Sequence, residues 1–381
     1  MSRIIWDCRG ETMYSVGHDD GLTSGSVVMI REITKRLAEQ GHTVHVVCND
    51  LEVEEQRGPN LWYWGPKNLP TKAEVVVMTH NITFGTDYEY SKIVLAHTGC
   101  TPNLGTAGEW AGEIDAWPVF SECHKRLLLD HNPTIAPERV FVTGLGVNLS
   151  DYPWPVSWIA DPNYVYASPG KVKGRMLYAN DPQRGLWNVL DIFDLVKAAV
   201  PEATLHIAYD FDRQIERHRW EHTQMAQMLL DCKRRIETTP GVVNLGALTR
   251  EQIIHEQLEC QVHVYPSDPP NVGTQTHGLL QLECAAAGAA LVLSDVEAFG
   301  EVFGEAAYIL PVIGRFMPEW ERRVEATDYA WAVIRLMTDA EWWQSNSQRS
   351  RALAECLSWE RVGAAWSKML AAITEEEKVS V

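Results

Sequence analysis

The stretch "GRMLYANDPQRGLWNVLDIFDLVKAAVPEATLHIAY", Gly174 to Tyr209, decides the fold. It holds three segments. "GRMLYAN" (174–180) is a short, largely apolar run and predicts a strand. "QRGLWNVLDIFDLVKAAVP" (183–201) spaces its apolar residues as a helix does and is closed by Pro201. "ATLHIAY" (203–209) predicts a second strand. Strand, helix, strand in this rhythm implies a right-handed crossover and a parallel sheet.

The same rhythm continues on both sides. "VVNLG" (242–246), "CQVHVYPS" (260–267) and "AALVLSD" (289–295) are further strands, with helices between them. In the first half, "SRIIWDC" (2–8) reads as a strand and is followed by the Gly/Ser-rich loop "GHDDGLTSGS" (17–26). The amphipathic helix "VVMIREITKRLAEQGH" stops at Gly41, and "TVHVVC" (43–48) is the next strand. "AEVVVMTHN" (73–81) and "KIVLAHTG" (92–99) follow, each strand ending in a histidine, His80 and His97. The Pro- and aromatic-rich "YPWPVSWIADPNYVYASPG" (152–170) has no period and reads as a linker region. The fold class is therefore α/β, with two Rossmann-like parallel-sheet domains over residues 1–155 and 156–358. Residues 359–381 form a closing amphipathic helix with an acidic tail. Ligands of such sheets sit beyond the carboxyl ends of the strands, and two such domains facing each other make a cleft.

The bulk numbers agree with a folded soluble chain. It has 381 residues, and its formal net charge of -18 is spread along the sequence, which disfavours a nonspecific nucleic-acid or anionic-membrane surface. The fully apolar run Cys284 to Leu293 is too short to span a bilayer. "MSRIIWDCRG" carries no secretory signal, and the eight cysteines include no CxxC pair, so reduced thiols and a cytoplasmic location are expected.

Five groups of residues could carry chemistry. Ser24, Gly25 and Ser26 stand where a helix begins after a strand, and backbone N–H groups there can face an anion; the same loop can equally be a plain tight turn. Arg184 and Gly185 open a helix directly after a strand, where a guanidinium can grip a phosphate bidentately, or simply face water. Glu283 lies inside "GLLQLECAAAG" (278–288), which is otherwise apolar but for Gln281. A helix from about Thr276 to Ala287 would turn Gln275 and Glu283 to within about 80° of each other. A carboxylate there needs donors. A ribose diol supplies them, and so does a neighbouring core residue. His80 and His97 are either site residues or structural ones, and His277 lies beside the Gln275 position. Asp210 and Asp212, in "YDFD", have the DxD spacing that can hold a divalent cation, a pattern that is common by chance in acidic chains.

In this order, these pieces resemble the glycosyltransferase family 4 type of retaining enzyme with the B-type fold. "SGSVVMIREITKRLAEQGHTVHVVC" is similar to that family's Gly-Gly loop, helix and strand, with Ser24 in place of the first glycine and Gly25 matching the second. "FVTGLGVNLSDY" resembles its P-N-G-V-D turn through Gly146 and Val147. "YANDPQRGL" resembles the phosphate-binding segment, with Arg184 in the basic position. "QTHGLLQLECAAAG" resembles the E-x7-E segment, with Gln275 at the first glutamate and Glu283 at the second. "LSWERVGAAW" resembles the closing helix, which in that family packs back on the first domain.

The resemblance implies a metal-independent transfer, with retention, of a sugar from a nucleotide-diphosphate sugar to a hydroxyl acceptor, a carbohydrate before others. The donor would be a UDP- or GDP-sugar, and no further cofactor is required. Glu283 would bind the ribose hydroxyls and Arg184 would stabilise the departing diphosphate, approached also by Ser24, Gly25 and Gly185. His80 would contact the donor sugar. Gln275 would face that sugar, with His277, Gly278 and Leu279 beside it. A second basic residue usual near Arg184 is replaced by Asn180 and Asp181, which leaves Lys171 or Lys173 to reach in. A nucleotide-sugar epimerase, a phosphorylase or a non-catalytic sugar-nucleotide binder on the same fold are the alternatives. A hydroxylated base in DNA is a minor acceptor alternative that the acidic charge disfavours. The loops "GETMYSVGHDDG" (10–21) and "FGTDYEYS" (84–91) are expected to select the acceptor.

Overall fold

The computed structural model describes residues 1–9, 16, 24–80, 87–99, 112–154, 170–219, 223–267, 275–314 and 324–375. Loop 10–21 apart from Val16, residues 84–86 of the second loop and most of the linker 152–170 lie outside the described residues. The chain divides into two compact units. One comprises Met1–Gly146, Thr274–His277 and Leu357–Val381, and the other Val147–Gly273 and Gly278–Cys356. The division falls between Gly146 and Val147, upstream of the expected boundary at 155/156.

The first unit contains β1 (Arg3–Asp7), α1 (Gly25–Glu39), β2 (Thr43–Val47), β3 (Glu55–Gly58), β4 (Leu61–Trp64), β5 (Val75–Thr79), β6 (Lys92–Ala96), β7 (Trp117–Val119), α2 (Glu122–His131) and β8 (Val140–Val142). Its main sheet runs β3-β4-β2-β1-β5-β6, parallel except for the antiparallel β3–β4 pair. That hairpin turns at Pro59-Asn60, a breaker pair that the strand reading passed over. The closing helix, Trp359–Glu375, returns to this unit and packs along α1. Trp366 stacks on Trp6 of β1 with ring centroids 4.8 Å apart. Gly363 lets the two helices touch, since a Cβ there would stand 2.6 Å from Arg36 Cβ. Gly146 does the same for the start of the closing helix, because a Cβ would meet the Trp359 nitrogen at 2.4 Å.

The second unit contains β9 (Arg175–Tyr178), α3 (Leu186–Ala199), β10 (Thr204–Ile207), α4 (Phe211–His218), α5 (Thr223–Thr238), β11 (Val242–Asn244), α6 (Arg250–Glu259), β12 (Val262–Tyr265), α7 (Leu279–Ala286), β13 (Ala290–Ser294), α8 (Phe299–Phe303), β14 (Ala307–Leu310), α9 (Ala326–Thr338) and α10 (Ala340–Cys356). Every pairing in its sheet is parallel, in the order β11-β10-β9-β12-β13-β14. β12 and β13 are buried at every residue, as strands covered by helices on both faces must be. In both sheets the strand order reverses once, between β1 and β5 in the first unit and between β9 and β12 in the second. A crevice opens at such a reversal because the two connections leave toward opposite faces.

One helix differs from its expected span. α7 begins at Leu279 rather than near Thr276, because Gly278 adopts the left-handed φ of 99° and acts as its N-cap. Gln275 therefore precedes the helix and does not share a helical face with Glu283. The strained reach of Gly146 gives a direct test. Gly146→Ala is expected to lower the urea midpoint by an amount equal to about 2–3 kcal/mol. Gly112→Ala, whose Cβ would meet no atom of the described residues within 4 Å, is expected to stay within about 0.5 kcal/mol of the parent.

Candidate functional site

The second unit builds its site at the carboxyl ends of β9, β11 and β12. After β9 the chain makes a single 3-10 turn, Pro182–Arg184, whose start is capped by the Asp181 carboxylate accepting from the Gln183 N–H at 2.9 Å. Gly185 follows with φ of 104° and serves as N-cap of α3 without any side-chain cap bond. Gly185 has no side chain to cap the first turn of this 14-residue helix, the end of a helix that favours an anion. Gly185 also sits against the β12 end, where a Cβ would stand 2.3 Å from the Pro266 carbonyl oxygen. Asn188 Nδ2 donates to that same oxygen at 3.2 Å. Arg184 lies beside the Tyr265 hydroxyl; burial pushes that phenol up to about 12, and the guanidinium opposes the rise. These contacts lock the two connections that flank the strand-order reversal.

Asn180 stands in the same stretch, and its Nδ2 is buried with no partner among the described residues. The lysines proposed to assist Arg184 do not. Lys171 is fully buried and donates to the Gln257 carbonyl at 3.1 Å; burial lowers it to about 8. Lys173 faces Glu202 at 3.8 Å on the surface.

Glu283 is 5% exposed and already has protein donors. Its Oε1 pairs with Arg250 at 2.7 Å, and its Oε2 accepts from Gln257 Nε2 at 2.9 Å. The Tyr152 hydroxyl donates to Gln257 Oε1 at 2.7 Å and lies 3.3 Å from a second Arg250 nitrogen. Burial first, and then the Glu283 charge, raise the Tyr152 phenol well above its usual range, so it stays a donor. Sequence reasoning missed Arg250. Its signal was available: a Thr249–Gln252 capping box after β11 places an arginine in the first turn of α6, the end where a helix disfavours cations.

Asp210 and Asp212 perform separate duties. Asp210 caps α4 by accepting from the Arg213 N–H at 3.1 Å, and Asp212 pairs with Lys233 at 2.7 Å.

The first unit places its candidates at its own strand-order reversal. Ser24 caps α1, accepting from the Val27 N–H at 3.2 Å, and Gly25 is the first helical residue. His80, just past β5, has φ of 61°, a left-handed backbone that costs a residue with a side chain of the order of 1 kcal/mol and is characteristic of functional positions. Its ring meets His97 edge-on at 5.4 Å. His97 Nδ1 lies against both the Gly99 N–H, at 3.0 Å, and the Gly99 carbonyl, at 2.9 Å. His124 accepts from the Phe120 N–H at Nδ1 and donates from Nε2 to the Gly99 carbonyl at 3.2 Å, which places its proton on Nε2. Gln275 and His277 are both buried. The segment carrying them is tied to this unit by Ser121 Oγ donating to the Thr276 carbonyl at 2.8 Å and Thr276 Oγ1 donating to the Thr98 carbonyl at 3.0 Å.

No known protein-family profile matches the chain, and no curated protein matches it by sequence. Solved structures do match. Sucrose-phosphate synthase from Thermosynechococcus elongatus superposes with a TM-score of 0.70 at 14% identity, covering 99% of this chain and 100% of that one. HepE of Anabaena, solved in complex with UDP and glucose, gives 0.67 at 12% identity over 98% and 100%. The α,α-trehalose 6-phosphate synthase of Burkholderia multivorans gives 0.65 at 11% identity over 99% and 100%. The chain has the B-type glycosyltransferase fold. Within that fold, among the described residues, no helix is long and apolar enough to cross a membrane.

Buried histidines give the fold a pH signature. Burial lowers His124, His263 and His277 to about 4, against 6.5 when exposed. Between these values the unfolded chain binds protons that the folded one refuses, so stability is lost as pH falls from about 6.5 toward 4. Each such histidine contributes a slope of up to about 1.4 kcal/mol per pH unit. His263→Asn keeps a donor for the Leu177 carbonyl, which His263 Nδ1 contacts at 3.1 Å. It is expected to remove about one proton's worth of the slope in urea unfolding measured from pH 7 to 4.5.

Proposed function

We propose that the protein is a retaining glycosyltransferase that moves a sugar from a nucleotide-diphosphate sugar to a hydroxyl acceptor. The observation that carries this reading is the Arg184–Gly185 turn: a guanidinium and an uncapped helix N-terminus set at the point of strand-order reversal. Glycosyl transfer builds negative charge on the departing diphosphate, and preorganised donors at that place lower the barrier. The B-type fold adds support, since HepE of that fold was solved in complex with UDP-glucose.

In this reading Arg184, Gly185 and the start of α3 bind the diphosphate, helped by the Ser24–Gly25 turn. Glu283 accepts from the ribose hydroxyls, with Gly278 and Leu279 beside it. His80, His277 and Gln275 serve the sugar. Arg184 and the helix N-terminus supply the positive charge, so the transfer proceeds without a metal. Retention follows if the acceptor attacks from the face the diphosphate leaves and the diphosphate oxygen takes its proton. UDP- and GDP-sugars are the donors proposed, a carbohydrate the acceptor, and the cytoplasm the place.

Calorimetry with UDP, GDP and their sugars, with and without chelator, tests the site. One nucleotide family is expected to bind in chelator as well as in magnesium. Arg184→Ala is expected to weaken diphosphate binding about 10- to 100-fold, the loss of a charge-assisted contact of about 1.5–3 kcal/mol. Equal affinity in parent and variant would sink the diphosphate assignment. Release of free sugar from the bound donor, or transfer with the anomeric configuration kept, separates an enzyme from a mere binder.

A further inference from the structure

The Glu283 carboxylate is tied to protein on two sides before any ligand arrives. A carboxylate offers about four acceptor positions. Arg250 occupies one at 2.7 Å and Gln257 another at 2.9 Å, so among the described residues two remain. Those two are what a vicinal diol needs. If ribose hydroxyls were its sole donors, the ligand-free protein would hold an uncompensated charge in a helix buried from Gln281 to Ala286. Arg250 removes that penalty.

We propose that Arg250 is a positioning residue that orients Glu283 for the 2′- and 3′-hydroxyls of a ribonucleotide; this rests on the reading of Glu283 given above. The guanidinium fork does two things at once. One nitrogen holds Glu283, and the other reaches the Tyr152 hydroxyl at 3.3 Å and the Asp151 carboxylate at 3.7 Å. Tyr152 in turn fixes Gln257, whose amide is oriented by donating to Glu283 and accepting from Tyr152. The carboxylate is thereby held from two directions, in plane and in angle. A lysine would keep the charge but, as a single ammonium on a flexible stem, could not span both contacts in a fixed plane.

The experiment uses UDP, GDP and their 2′-deoxy forms as probes, with the full chain and the variants Arg250→Lys, Arg250→Met and Glu283→Gln. Melting temperature is recorded beside each dissociation constant. The parent is expected to prefer the ribonucleotide at least tenfold over the 2′-deoxy form. Glu283→Gln is expected to cut that ratio to within threefold. Arg250→Lys is expected to cut it equally while melting within a few degrees of the parent, and Arg250→Met to do so with a lower melting temperature. If Glu283→Gln collapses the ratio but Arg250→Lys and Arg250→Met keep it in full, Arg250 is a structural partner only and the inference falls alone. If Glu283→Gln leaves the ratio intact, if the parent shows no preference, or if neither nucleotide binds, the ribose role of Glu283 fails and takes the inference with it.

Discussion

A parallel strand cannot be reached by a tight turn. Each strand of the second sheet must be entered from the far end through a crossover, and right-handed crossovers fill both faces with helices. The order β11-β10-β9-β12-β13-β14 requires that this winding change direction once, at β9 and β12. The Arg184–Gly185 turn follows from this change. Arg184 and Gly185 are there because the chain leaving β9 has to turn into α3 against the chain leaving β12. Gly185 is there because backbone meets backbone at that spot, where no side chain fits. The site is therefore a by-product of how a doubly wound sheet is covered.

Much of this was legible in the sequence. The long periodic segments, such as 183–201 and the closing helix, announced themselves, and the parallel sheets followed from their alternation with apolar runs. Strand ends led to His80 and Arg184 because position after a strand is a property of the chain itself. What was not legible depends on neighbours that only folding supplies. Arg250 and Glu283 are 33 residues apart on different helices, and their pairing has no local signature. Lys171 reads as a loop lysine by its surroundings in sequence, yet it is fully buried under the Gln257 carbonyl. The start of α7 was placed near Thr276, ahead of Gly278, whose left-handed backbone caps the helix and holds its first turn to Leu279. The loop 84–91 was read as acidic and aromatic, whereas Tyr88 is buried and donates to Asp7, and Asp87 pairs with Arg9.

The buried carboxylate also shows how a polar group is carried inside an apolar helix. Neither of the two simple answers, ligand donor or core partner, describes Glu283 fully. Its protein partners make it tolerable in the folded chain, and the acceptor positions they leave open are the ones a ligand would use. His124 repeats the pattern in the first unit, where the Phe120 N–H settles which ring nitrogen carries the proton. In each case part of the hydrogen-bonding capacity is spent on holding the group still, and the remainder is directional.

The route of the chain through the two units has its own consequence. The first unit takes its strands from the early part of the chain and its covering helix, Trp359–Glu375, from after the whole of the second unit. Trp6 waits for Trp366, and Gly146 for Trp359. On the ribosome, the opening sheet must therefore emerge with one flank bare and remain so while more than 200 residues are translated. Completion of the first unit waits for a segment made after the whole of the second, and the first unit cannot be excised as one continuous piece.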